Sequence, residues 1–97
     1  MAQLGVKTYV MHPDEIRPFY IYWINQLGAS NIISSAWTVN GPDAALSVNS
    51  SSFDDKIATV FLEGGTAGKT YNIENRIGRS TDVAMLVWEF NVQIVDN

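Results

Sequence analysis

Gly68-Lys69-Thr70 is the tripeptide in this sequence that most invites a phosphate. A phosphate-binding loop needs a glycine, four residues and then Gly-Lys-Thr or Gly-Lys-Ser, followed by a helix whose first N–H groups face the anion. Here Glu63 stands five residues before Gly68, a carboxylate that would repel phosphate, and Gly64 is one residue too close. The residues after Thr70 alternate as a strand does, so no helix dipole is available. The spacing argues against nucleotide binding.

Other residues capable of chemistry are equally short of partners. His12, the single histidine, lies beside Asp14 and Glu15, but a metal site wants further histidine or cysteine ligands at defined spacing. A solvated turn accounts for His12-Pro13-Asp14-Glu15. No serine has a context that would pair it with His12 for nucleophilic catalysis, because the serines fall in turn-forming clusters. Asp54-Asp55 lacks the dense oxygen pattern of a calcium loop and reads as a turn. Asn49-Ser50-Ser51 fits a glycosylation sequon, which carries no weight without a secretion signal. No catalytic residue, metal or cofactor is expected, and the chain is expected not to be an enzyme.

The elements that would position any site are strands. The sequence is 46% hydrophobic and 16% charged, with no cysteine, so core packing must hold the fold without disulfides. Its length fits a single domain, residues 1–97. The formal charge is −4, with six basic residues scattered along the chain, a pattern unsuited to nucleic acid or to an anionic membrane. The amino terminus lacks the apolar run of a signal peptide, and no stretch is long enough to span a bilayer. Synthesis in a cytoplasm is expected.

In chain order, Lys7–Met11 reads as a first strand and residues 14–18 as a polar turn. In the aromatic run from Phe19 to Ile24, Phe19, Ile21 and Trp23 share the core parity. Residues 25–31 read as a loop with Leu27 turned back onto the core. Ile33, Ser35, Trp37 and Val39 share one face of the next strand, and Asn40-Gly41-Pro42-Asp43 is the clearest turn signal. A short strand at Leu46–Val48 precedes a loop over Asn49–Ser52. Ala58, Val60 and Leu62 then alternate with Ile57, Thr59 and Phe61. Past the glycine-rich connection, Tyr71, Ile73, Asn75 and Ile77 share a face, and Leu86, Trp88, Phe90, Val92 and Ile94 share one in the last strand. About seven antiparallel strands bounded by turn residues predict an all-β protein, an immunoglobulin-like sandwich.

Two features stand apart from that core. Tyr20, Tyr22 and Phe61 fall on the outward parity, and with Trp88 they suggest either a sugar-binding platform or a subunit interface. Without a signal peptide the interface is the preferred expectation. Asn75 is the polar residue on a face that otherwise reads as buried, so it should hydrogen-bond to backbone and pin a loop.

Several blocks in order resemble a family of short phage and prophage virion proteins, the fiber-tail adaptors. They are Pro18 with Phe19-x-Ile21-x-Trp23, Leu27-Gly28, Ile32-x-Ser34-Ser35-x-Trp37-Thr38-Val39, and Leu46-x-Val48 ahead of Ser51-Ser52-Phe53. The block from Ala58 to Tyr71, carrying Gly64-Gly65-Thr66-Ala67-Gly68, leads into Asn75-Arg76-Ile77. The resemblance spans roughly residues 10 to 95. The first strand matches poorly, and Met85, Trp88 and Phe90 replace the charged ending of that family. The resemblance implies a non-enzymatic structural subunit of a phage particle, near the neck or tail, made in the host cytoplasm. Its implied partners are other neck, tail or fiber proteins, together with copies of itself. A carbohydrate- or cell-surface-binding module is the alternative.

In an immunoglobulin-like sandwich the fifth and sixth strands lie in different sheets. Gly64, Gly65 and Gly68 then shape an arch across the core. Tyr71, opening the next strand, would hydrogen-bond its hydroxyl back to that arch as a tyrosine corner does. Lys69 is expected to be exposed and dispensable.

Overall fold

A computed structural model describes residues 7–96. The expectation about a leader falls largely on the residues before these. Seven strands and one helical turn follow in order: β1 (Thr8–Met11), β2 (Ile16–Tyr22), α1 (Ile24–Leu27), β3 (Ile32–Asn40), β4 (Leu46–Phe53), β5 (Ile57–Gly64), β6 (Thr70–Arg79) and β7 (Met85–Ile94). They form a β-sandwich of two sheets, β1-β7-β6-β3 over β2-β5-β4. Pairing is antiparallel except that β1 runs parallel to β7, with Thr8 opposite Asn91 and Met11 opposite Ile94.

The alternation legible in β5 is the alternation of its burial. Ala58, Val60 and Leu62 are fully buried between the sheets, and Phe19 and Ile21 of β2 lie opposite Val60 and Ala58. Tyr71, Ile73 and Ile77 of β6 and Phe90, Val92 and Ile94 of β7 complete the core from the other sheet. Aromatic contacts tie the layers together: Phe19 meets Phe90 at 5.3 Å with planes tilted by 33°, Tyr9 meets both rings edge-on, and Trp23 meets Trp88 edge-on at 5.6 Å.

Four local expectations are corrected. Ile16, Arg17 and Pro18 belong to β2, which is an edge strand, and there proline's missing N–H removes no ladder bond. Residues 24–27 form α1 with Leu27 buried beneath it. Lys56 holds the connection that follows by donating from Nζ to the carbonyls of Gly28, at 2.8 Å, and Ser30. Residues 49–52 lie in β4, paired to β5. A register shift between Ile32 and Ser34 turns Ile32 inward and leaves Ile33 60% exposed, while Ser35, Trp37 and Val39 keep the inner face. One extra residue in a strand reverses the parity of everything before it.

Asn75 is fully buried and does bond to backbone, but that backbone belongs to strand β3, and the connecting residue it holds is Trp23, between β2 and α1. The Asn75 Oδ1 accepts from the indole Nε1 of Trp23 at 2.9 Å, across the sandwich. Its Nδ2 donates to Ser35 Oγ at 2.9 Å and to the Ala36 carbonyl at 3.2 Å. The side chain is thus a polar bolt between the sheets.

Candidate interaction surface

The β5–β6 connection crosses from one sheet to the other, and three glycines have positive φ there: Gly64 at 84°, Gly65 at 98° and Gly68 at 86°. Lys69 is exposed, and its N–H donates to the Thr66 carbonyl at 3.0 Å. The Gly68 N–H donates to the Ile94 carbonyl at 2.8 Å, so the backbone that could have faced a phosphate is turned onto β7.

Tyr71, buried at the start of β6, accepts from the Thr66 N–H at 3.0 Å and donates to Asp43 Oδ1 at 2.5 Å. The hydroxyl therefore joins the β5–β6 arch to the β3–β4 connection, which also crosses between sheets. Asp43 is the partner that sequence pattern did not single out. Its carboxylate also accepts from the Ala45 N–H at 3.0 Å and the Thr66 hydroxyl at 2.9 Å. Gly41 is required by contact, because a Cβ there would lie 2.2 Å from Cδ2 of Tyr71. Its φ is not positive, so the turn at Gly41 does not use glycine's left-handed conformation.

The Tyr71 hydroxyl, then the Ala45 N–H and the Thr66 hydroxyl, hold the Asp43 carboxyl below its ordinary value of 3.8. A depressed folded pKa gives stability that is complete above the unfolded value and is lost as pH falls through the folded one. Asp43→Asn should therefore lower the melting temperature at neutral pH, where the ionised carboxylate contributes in full, and its difference from the wild type should shrink as pH falls below about 4. Tyr71→Phe is expected to cost about 1–2 kcal/mol in a denaturant titration, because Asp43 and the Thr66 N–H lose their partner. Unchanged stability would remove Tyr71 from the role of corner.

Tyr20 and Tyr22 project from the outer face of the β2-β5-β4 sheet, 51% and 62% exposed, with ring centroids 6.5 Å apart and planes tilted by 52°. Phe61 shares that face, because β5 places it opposite Pro18, with Thr59 opposite Tyr20 and Ile57 opposite Tyr22. It is half-buried, diagonal to Tyr20 and flanked by Ser50 on β4. The register thus brings the three aromatics together on one face. Trp88 is separate: it is partly buried and packs edge-on against Trp23. Among the residues pairing on this face only Glu63 carries a charge. An apolar, hydroxyl-rimmed patch of this kind can bury its rings against a protein surface.

His12 and the acidic residues near it in sequence, and Asp54, sit elsewhere. His12 lies in a turn closed by Glu15 N–H to the His12 carbonyl at 3.0 Å, with Asp14 and Asp96 at 3.8 and 3.6 Å from its ring nitrogens. Asp54 accepts from the N–H groups of Lys56 and Ile57 at the β4–β5 tip. Among the described residues no group of three or more His, Asp or Glu is placed to hold a metal, and no helix is long and apolar enough to cross a membrane.

No curated protein and no solved structure matches the chain. A family model does, described as podophage GP4 fiber-tail adaptor protein gp77, over residues 11–87. The match runs from the end of β1 to the first residues of β7 and takes in every strand that carries the arch and the aromatic face. The chain belongs to the podophage GP4 fiber-tail adaptor family.

Proposed function

We infer that this protein is a non-enzymatic subunit of a podophage tail that bridges a fiber to the tail or neck. The observation that carries this is the family match over residues 11–87. A structural role in a phage tail follows from that membership, and the bridging contact is assigned to Tyr20, Tyr22 and Phe61. The fold is taken as immunoglobulin-like because β2, β5 and β4 stand against β3, β6 and β7, the division such sandwiches make. A pair of tyrosines tilted against each other, with no tryptophan beside them, favours a protein partner over a flat sugar ring.

Reconstitution with purified fiber and tail proteins of the same particle tests the assignment. Tyr20→Ser combined with Tyr22→Ser is expected to weaken binding by about 10-fold or more, since exposed aromatics at a contact dominate its energy. Melting temperature should be unchanged, because both rings are outside the core. Full binding by the double variant would move the contact elsewhere.

A further inference from the structure

The two flanks of the sandwich are built differently. On one, the edges are β1, of four residues, and β2, which carries Arg17 and Pro18. Arg17 donates to the Val10 carbonyl at 3.3 Å, and Tyr9 packs on Phe19 at 5.5 Å, so this flank is bridged. Shortness, proline and charge are the means by which edge strands avoid pairing with other chains. On the other flank the edges are β3 and β4, nine and eight residues long. Neither contains a charged residue or a proline. Among the described residues each pairs with a strand on one side only, β3 with β6 and β4 with β5.

This second flank also leaves part of the core in water. Register sets Val48 opposite Leu62 and Phe53 opposite Ala58, so both belong to the inward side. Leu62 and Ala58 are fully buried, whereas Val48 and Phe53 are 37% and 43% exposed. Inward-facing apolar side chains left exposed indicate a neighbour that the single chain lacks.

We propose that this flank is the contact between two copies of the chain, with β4 of one copy pairing antiparallel to β4 of the other about a two-fold axis. A two-fold contact sets a surface against itself, so a charge on it meets its own like. With a formal charge of −4, two copies repel over much of their surface. The neutral run of β3 and β4 is where that repulsion is weakest. A basic or acidic partner finds nothing there to attract it, whereas a second copy meets serine, asparagine, valine and phenylalanine. The free backbone groups of β4 would then be paired, extending its sheet across the axis as strand addition does.

Sedimentation velocity of the full chain from ~1 to ~100 μM is the test, because a dimer is resolved by its concentration dependence. A dimer is expected. Ser51→Lys, on the inward side opposite Val60, and Ser52→Lys, on the outer side opposite Thr59, are each expected to raise its dissociation constant about 10-fold or more. Melting curves show which variants are folded. Ser52, exposed and outside the core, keeps the test valid if Ser51→Lys unfolds the chain. Tyr20→Ser with Tyr22→Ser should leave the dimer intact. A wild-type monomer at ~100 μM would overturn the proposal. So would a dimer that survives the lysine at Ser52, or one dispersed by the tyrosine changes alone. The outcome is separate from the adaptor role, since either can hold without the other.

Discussion

Asn75→Ala is expected to destabilise the fold by about 3 kcal/mol, the sum of unsatisfied buried groups and a small cavity. The amide is fully buried and joins the Trp23 indole of one layer to Ser35 and Ala36 of the other. Alanine would strand the indole N–H beneath a tryptophan ring that has no access to water. Each such orphan costs about 1–3 kcal/mol. A double-mutant cycle isolates the bond. Trp23→Phe removes the donor, so combining it with Asn75→Ala should cost about 1 kcal/mol or more less than the two single losses added. Strict additivity in denaturant titrations would show that the bond contributes nothing of its own.

Gly64→Ala is expected to cost a similar amount, about 3 kcal/mol, for a different reason. At φ 84° a side chain is strained whatever its surroundings, and here the surroundings are rigid. The added Cβ would stand 2.5 Å from the Ala45 carbonyl oxygen, which itself accepts from the Gly65 N–H at 3.0 Å. Backbone cannot rotate away as a side chain can, so the β5–β6 arch must shift off the β3–β4 connection. Gly68→Ala supplies the control. Its φ is 86°, but nothing lies within 4 Å of the new Cβ, so only the backbone cost of about 1–2 kcal/mol remains. Equal losses at the two positions would show that close approach at Gly64 is not limiting.

These two positions differ in how far sequence could reach them. Gly64 stood in a glycine-rich run between two alternating strands, and an arch followed from placing those strands in different sheets. Asn75 was visible as a polar residue on a buried parity, but its partner Trp23 lies 52 residues away and no local pattern connects them. The position of Tyr71 at the start of the strand after the arch was visible in sequence, and its hydroxyl accepts from the Thr66 N–H of that arch. Asp43 was not legible, because an aspartate after Gly-Pro reads as a surface turn until both crossing loops are brought to one end of the sandwich.

Strand faces were recovered where alternation was unbroken, as in Ala58-Val60-Leu62 and in β7 from Leu86 to Ile94. They failed at Ile33, where a bulge adds a residue that only the pairing partner reveals. Asn49-Ser50-Ser51-Ser52 reads as loop by composition, yet pairing with β5 makes it strand, as tertiary context often does. The aromatic face was readable from parity alone because β2 and β5 keep strict register from Ile16 to Tyr22. What such a face binds is not written in periodicity. The family match supplies a tail role for the chain as a whole, over residues 11–87, and not a partner for this face.

The central claim is that this chain is a structural part of a phage tail, and quantitative mass spectrometry of purified particles tests it most directly. Particles produced by the phage that encodes this chain are expected to contain it in a fixed ratio to tail and fiber proteins, retained after density-gradient purification. Its absence from mature, infectious particles would contradict the account.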